Sequence, residues 1–437
     1  MGAIASGAAI SIESGEVFGA LKDRLNEYSR RYQIDLGYVI RNEFWVYFRL
    51  GVSLLIGLGV TITFARLAPK EVYGQYTFIL AILAIISLFS IPGLNHAVLR
   101  STARGNEGNY EKAVKTSFLW SLLGIPALLG LGAYYYYFDS VAIGFGFMVC
   151  SVFFPFIYAP NTWDSFLVGK KRFDLRARWG ITQSAIIAVA IISVLFLNAQ
   201  NLVLILIAQL VSSSCVACWL YFRSLKYIEN QVTDGECQKY GYFLTTTAIV
   251  GTIADHIDKI LIGVLLGAQD LALYAIAIVI PVRIKDLLKS AWAPFSPKIS
   301  EQEISLGEVW GKLRGLILPI VVVAVVSSLL YWFFIDEVAL WLFSAKYVEA
   351  GEYARPLLFM VLLSVPATFL GTFSVARKKT KPLVLGYHIY PVVKLVIMAG
   401  FIYQWGIWGA VYGQITGWLL QLSLIWAGIA IEERSED

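Results

Sequence analysis

Charge is scarce in this chain. Asp, Glu, Lys and Arg make up 15% of its 437 residues and hydrophobic residues 58%, whereas a soluble domain is roughly 25% charged. That balance excludes an ordinary soluble fold and points to an integral membrane protein. The apolar runs are continuous and do not alternate, which excludes a β-barrel in favour of helices. Cysteine is sparse too, with four residues. Cys215 and Cys218 form a C-x-x-C inside "LVSSSCVACWLYF", but a zinc site needs four ligands and no second pair exists. They are expected to be small buried helix residues, like Cys150, with Cys237 in a polar loop. The first 40 residues show no apolar h-region followed by a small-residue cleavage site, so no cleavable signal is expected. "MGAIAS" fits a myristoylation pattern only loosely. A phosphate-binding glycine loop with GK[ST], an H-E-x-x-H and a nucleophile elbow are all missing. ATP hydrolysis is therefore not expected, and nothing marks the chain as an enzyme.

What the chain has is length in oil. Twelve apolar segments can be drawn at 44–66, 73–95, 114–137, 141–166, 179–198, 202–222, 241–267, 270–294, 314–335, 354–375, 383–404 and 407–431. Tyr (24) and Trp (13) are abundant, which suits interfacial belts, as in Tyr134-Tyr135-Tyr136-Tyr137. The connections sort by charge. One side collects Arg30, Arg31, Arg41, Arg100, Arg104, Lys170, Lys171, Arg172, Lys226, Lys289, Arg377, Lys378, Lys379 and more. The other holds only Arg66, Lys70, Lys346 and Arg355. The positive-inside rule places both termini in the cytoplasm of a cell (inner) membrane protein. The net charge of +5 is then accounted for by inner loops facing anionic lipid, and no nucleic acid partner is implied. Outer loops such as "FDS", "NAQN" and "QWG" leave no room for an outer domain. Residues 15–33 place Phe18, Leu21, Leu25 and Tyr28 at helical spacing, an amphipathic helix on the cytoplasmic leaflet or a solvated tail.

The sequence also repeats. "SFLVGKKRFDL" at 165–175 resembles "TFSVARKKTKP" at 372–382, an offset of 207, and "PKEVYGQY" at 69–76 echoes "GAQDLALY" at 267–274, an offset of 198. Each copy holds six spans, so the copies run in the same orientation, and a site between them is expected. The organisation read from this is a cytoplasmic segment 1–43, an N-lobe 44–222, a cytoplasmic loop 223–240, a C-lobe 241–431 and a tail 432–437.

"ARLAPKEVYGQYTF", "LVGKKRFDLRARWG" and "DKILIGVLLGAQDLALYAIA" resemble the polysaccharide-repeat-unit (O-antigen-type) flippases of the multidrug, oligosaccharidyl-lipid and polysaccharide exporter superfamily, over most of the chain from about residue 44. The resemblance implies an all-α bundle of twelve transmembrane helices in two parallel six-helix lobes around a central cavity. It also implies translocation of a polyprenyl-pyrophosphate-linked oligosaccharide to the outer leaflet. Glycosyltransferases and a polysaccharide polymerase of the same pathway would be neighbours. A multidrug exporter on the same fold, or a glycosyltransferase or polymerase acting on the same lipid-linked sugar, are the competing readings. The first would favour an acid-lined cavity, and the second would need a larger outer loop.

Charges inside spans are the candidate site, because each costs about 2.5–3.5 kcal/mol at mid-bilayer and normally faces a bundle interior or wet cavity. Lys394, in "YHIYPVVKLVIMAGFIY", has no acid in its own span. It is either paired with an acid on another helix or meets an anionic substrate, with Tyr387 and Tyr390 roughly on its face. Arg283 and Lys285 follow Pro281 and either snorkel or contact substrate, with Asp286 placed to neutralise Arg283. Arg49 opens the first span, where snorkelling competes with substrate contact. His96 and Arg100 end the second span at the inner surface. In "AIVGTIADHIDKILIGVLLG", Asp255 and Lys259 stand four apart with the acid first, the favourable order for a helical pair. Asp258 remains as a second acid and His256 is turned away. This group either packs the lobes or binds and releases a coupling ion, H+ or Na+. No other cofactor or metal is expected.

Overall fold

The computed structural model describes residues 36–290, 306–377 and 379–434. The amphipathic segment expected over 15–33, with Lys298 and Lys378, lies outside them. Among the described residues every regular element is helical. The helices are α1 (Leu36–Leu67), α2 (Lys70–Ile86), α3 (Gly93–Ala103), α4 (Asn109–Ser121), α5 (Gly124–Phe138), α6 (Val141–Tyr158), α7 (Trp163–Gly169), α8 (Phe173–Asn198), α9 (Leu202–Ser224), α10 (Glu236–Leu265), α11 (Ala268–Ser290), α12 (Leu306–Val338), α13 (Ala350–Ala376), α14 (Thr380–Val384) and α15 (Tyr390–Glu433).

Among the described residues, nine stretches are long and apolar enough to cross a membrane. They match the expected spans except 241–267 and 270–294, whose helices α10 and α11 carry the intramembrane charges. One stretch, Thr380–Glu433, is 54 residues long and contains the last two expected spans. It folds back at Gly406, where φ 58° and ψ −132° suit only glycine. Beyond the bend the arms pack antiparallel. A Cβ on Gly409 would overlap the Phe401 carbonyl, and one on Gly413 would stand 2.7 Å from Met398 Sδ. Gly409, Gly413 and Gly417 form a stripe of small residues that lets two membrane helices approach closely.

Three expected spans are broken, each at a proline. Ile91, ahead of Pro92, sits at φ 53° and divides 73–95 into α2 and α3. Pro160 opens a 3-10 turn, Pro160–Thr162, between α6 and α7. Pro126 cannot donate to Leu122, and the chain turns there between α4 and α5. Proline removes a helical donor and its ring disfavours helix in the residue before it. Two cysteine readings need correcting. Cys215 is exposed and Cys218 only partly covered, on the outward face of α9, while Cys237 is buried in the first turn of α10. Outward apolar side chains such as Leu55, Phe196, Phe333 and Trp341 are largely exposed, as a multi-pass membrane protein requires.

The first half has its own buried cluster, with Leu94, Tyr110, Trp163, Phe166 and Trp179, in which the rings of Tyr110 and Phe166 stack at 4.3 Å. The second half has another, with Leu288, Val361, Phe373 and Ile425. The largest core crosses between them and joins Phe64, Tyr76 and Ile79 to Leu271, Tyr274 and Met398. The halves touch where α2 packs on α11 and α3 on α10. A Cβ at Gly74 would overlap the Ala268 carbonyl, so the two repeat segments 69–76 and 267–274 meet each other, as a two-fold relation between the copies demands. At the far end of the same pair, the Gly93 N–H donates to Thr245 Oγ1 at 2.9 Å.

The basic residues of the sparse set gather at one end. Arg66 donates to the carbonyls of Trp341 and Leu342, Lys346 donates to the Arg66 carbonyl at 3.3 Å, Lys70 lies 4.0 Å from Glu349, and Arg355 pairs with Asp336. At the other end the connection between halves is tied down. Glu107, 4% exposed, accepts from Lys170 Nζ at 2.7 Å and from the Glu229 N–H at 2.7 Å. The Gly108 N–H donates to the Val232 carbonyl at 2.9 Å. Burial disfavours the Lys170 ammonium, but its hydrogen bonds to Glu107 and Glu229 outweigh that and hold its pKa above the ordinary lysine value. Burial likewise works against the Asp234 carboxylate, yet donors from Asn106, the Cys237 N–H and Asn109 hold its pKa below the usual range.

Candidate functional site

A cavity of about 410 Å3 lies between the halves. Thr61 of α1, Tyr73 and Tyr76 of α2, His256 and Lys259 of α10 and Arg283 of α11 are in its wall. These are the same helices that join the two copies, so the repeat contact and the cavity share one set of elements. Arg283 reaches toward α1, with its Nη2 3.2 Å from where a Cβ on Gly57 would stand. His256 Nδ1 is buried without a hydrogen-bond partner among the described residues. Lys259 and Arg283 have no ion-pair partner among those residues either. Two cations thus share one chamber wall with a histidine in a low-dielectric setting, where an anion would be held far more strongly than in water.

The expected pair of Asp255 with Lys259 is not formed among the described residues, and Asp286 lies 3.8 Å from Lys285 rather than on Arg283. Helical spacing misassigned both: Asp286 turns to its sequence neighbour Lys285, and Asp255 is exposed. Asp258 points the other way from the cavity and is 2% exposed. It accepts from Tyr274 Oη at 2.6 Å, Gln414 Nε2 at 2.8 Å and the Lys259 N–H at 2.8 Å. No cation lies within ion-pair distance of it among the described residues. Tyr274 and Gln414 escape a reading of charges. Their signal is the repeat: Tyr76 stands 198 before Tyr274 and Gln209 stands 205 before Gln414. In the first half Tyr76 Oη donates to Gln209 Oε1 at 2.6 Å.

The other residues singled out in the sequence are dispersed. Lys285 and Tyr387 line a separate pocket of about 340 Å3 inside the second half, together with Lys289, Thr372 and Trp418. Lys394 is among the lining residues of neither cavity. It is 6% exposed, packs with Tyr390 against Gly417, and lies within electrostatic reach of both His256 and Lys285, so it stands between the two. No acid is paired with it among the described residues. Arg49 does not snorkel freely. It donates to Asp164, which also accepts from Arg176 Nη2 at 2.8 Å, and it lies against Gly180. The structure therefore brings together His256, Lys259 and Arg283. It sets Lys285 with Tyr387, and Lys394 with Tyr390, and leaves Arg49 in an ion cluster of the first half.

Residues 39–300 match the family described as "Polysaccharide biosynthesis protein", and the chain belongs to that family. No individually curated protein matches the chain. Its fold is similar to that of a solved lipid II flippase, MurJ, in an inward closed conformation, at 14% identity and a TM-score of 0.70, covering 90% of this chain and 87% of that one. It is also similar to an inward-facing multidrug resistance MATE family transporter of the MOP superfamily, at 14% identity and a TM-score of 0.65, covering 88% and 96%. A MOP superfamily transporter from Pyrococcus furiosus, described as having a binding pocket of reverse polarity, matches at 16% identity and a TM-score of 0.59, covering 91% and 96%.

Proposed function

We propose that this chain carries a polyprenyl-pyrophosphate-linked oligosaccharide from the cytoplasmic to the outer leaflet of the cell membrane by alternating access, as a step in surface polysaccharide synthesis. The observation that supports this most is the unneutralised positive charge of the chamber between the halves. Arg283 presents a planar donor fork suited to phosphate oxygens, with Lys259 beside it in the wall, while Lys394 adds positive charge from outside the chamber. A diphosphate that enters would replace its water with these groups, and they would recover the cost of their own burial. Tyr73 and Tyr76 offer hydroxyls and rings to the first sugar. The polyprenyl tail, already at home in hydrocarbon, stays in the lipid. A cation-lined chamber disfavours a cationic drug as cargo. The relatives support the reading in kind: one similar fold is named for lipid II flipping, and one for a pocket of reversed polarity.

In this reading the copies 44–222 and 241–431 are the moving bodies. The end that holds Lys170 faces the cytoplasm, with both termini there, and the end that holds Arg66 faces outward. A membrane potential negative inside favours export of an anion by about 2.3 kcal/mol per charge per 100 mV. Asp258, a buried acid with no cation paired to it among the described residues, is the proposed place where H+ or Na+ enters, with His256 of the same helix in the chamber wall and Asp255 as a second acid nearby. The test is transfer of a fluorescent lipid-linked oligosaccharide across vesicles that contain the purified protein. Arg283→Gln should lower the rate about tenfold to a hundredfold, the loss of one charge-assisted contact, and Lys394→Ala should lower it less. Unchanged rates in both folded variants would remove this function.

A further inference from the structure

The pocket inside the second half differs in chemistry from the central chamber. Arg283 and Lys285 are two residues apart on α11, about 200° around the helix, so the helix is a wall with one cation on each side. On the far side Lys285 and Lys289, one turn apart, face Thr368 and Thr372, one turn apart on α13, and Tyr387 and Trp418 complete the enclosure. Lys285 lies over the Trp418 ring at 5.5 Å and shares Asp286 at 3.8 Å. Lys289 has no ion-pair partner among the described residues. The volume of about 340 Å3 falls within the range of small-molecule sites, about 300–1,000 Å3.

The internal repeat says what is missing there. At the offset of 207, Asp164 falls on Gly371 and Gly180 on Tyr387. In the first half Asp164 is the carboxylate that neutralises Arg49 and Arg176, packed beside Gly180. In the second half that position is a glycine, and Tyr387 Oη comes within 2.5 Å of where its Cβ would stand. The carboxylate is absent at the corresponding position, and the positive charge beside it comes from a different helix, α11, through Lys285 and Lys289. Two ammonium groups draw in an anion as point charges, and the rings and hydroxyls around them favour an anion carried on a sugar over a free inorganic one. The Trp and Tyr rings offer faces to the C–H side of a pyranose, and Thr368, Thr372 and Gln421 offer hydrogen bonds to its hydroxyls.

Building on the function proposed above, we propose that this pocket is a subsite for a carboxylate-bearing sugar of the transported glycan, whose carboxylate takes the place that Asp164 holds in the first half. The cargo is then read at two points on either side of α11, diphosphate in one chamber and acidic sugar in the other. The test is ligand-observed NMR of the full chain in nanodiscs of zwitterionic lipid, with glucuronate, glucose and inorganic phosphate as probes. Glucuronate should bind at least tenfold more tightly than glucose or phosphate. Lys289→Glu and Lys285→Gln should each weaken it tenfold or more, and Gly371→Asp, which restores an internal carboxylate, should abolish it. Arg283→Gln should leave it unchanged while it slows transport of the lipid-linked substrate. Equal binding of glucose or phosphate, or glucuronate binding indifferent to both lysine variants, overturns the proposal. So does competition by nanodiscs that contain phosphatidylglycerol, which would assign the pocket to a lipid headgroup. Loss of transport in Arg283→Gln without any glucuronate binding retains the carrier and removes the subsite.

Discussion

The two halves place the same tyrosine and glutamine face to face, and only one of them adds a charge. In the first half, Tyr76 and Gln209 close on each other at 2.6 Å. In the second, Tyr274 and Gln414 turn to a third group, Asp258, at 2.6 and 2.8 Å. The reverse holds closer to the Lys170 end. There the first half has an aspartate between two arginines, and the second has a glycine beside a pocket with two lysines. Duplicated helices thus share a scaffold while their polar content has diverged in opposite senses. At this level the first half matches its arginines to an aspartate of its own. Among the described residues, the second has an acid with no cation paired to it and two pocket lysines with one acid nearby. Buried groups of that sort are tolerated where something from outside supplies the complement, and on this count the second half is where ligand and ion exchange should reside.

The contrast can be broken most forcefully at Asp164. Asp164→Ala leaves Arg49 and Arg176 facing each other across α1, α7 and α8, and removing one partner from a buried ion cluster costs about 3–5 kcal/mol. Since these side chains retain about a quarter of their exposure, the lower figure applies. A fall in melting temperature of the detergent-solubilised protein measures it, and an unaltered melting curve would show that the first half does not rely on this match. Asp258→Asn should leave the fold intact and act on coupling. The rate gained from an imposed proton or sodium gradient should drop about tenfold or more, equivalent to about 1.4 kcal/mol, and a variant that still responds fully to both gradients would move the ion elsewhere. The pair Gln209→Leu and Gln414→Leu sharpens the point. The former should cost about 1 kcal/mol of stability with transport retained, and the latter should impair transport as well. Equal transport in the two would erase the distinction.

The smallest effect is at the tie between the halves. Asp234 is held below the ordinary aspartate value of about 3.9, so its contribution is complete above that value and is lost as pH falls through the lower folded value. Hydrogen exchange at the Cys237 amide should accelerate only on acidification below about pH 4, while the Gly93 amide, bonded to Thr245 rather than to an acid, should not follow.

Much of the bundle was legible from the chain because long apolar runs have few alternative fates. Over the described residues the expected segments fall on helices, three of them divided in two, and the repeat segments 69–76 and 267–274 do meet. The breaks at Ile91, Leu122 and Pro160 were not foreseen, since hydropathy averages over a proline that local geometry cannot ignore. The site was half legible. Charges in oil drew attention to His256, Lys259 and Arg283, and these share one chamber. The partners of Asp258 were missed because Tyr274 and Gln414 are neutral and hydropathy gives them no emphasis. The pairing of Asp255 with Lys259 failed because helical spacing does not fix side-chain direction: Asp255 is exposed while Lys259 lines the chamber. Lys394 and Lys285 are buried or partly buried as expected, but a linear sequence does not tell on which side of α11 a cation emerges.

Gly74 lies near the start of α2 and Gly93 opens α3, and each presses bare backbone against the other copy. A single methyl inserted at either point acts as a chock under a seesaw. Gly74→Ala would prise the halves apart on the Arg66 side, and Gly93→Ala would do so on the Lys170 side. In the alternating-access cycle proposed above, these two positions would be handles by which its bias could be turned either way without touching a charged residue.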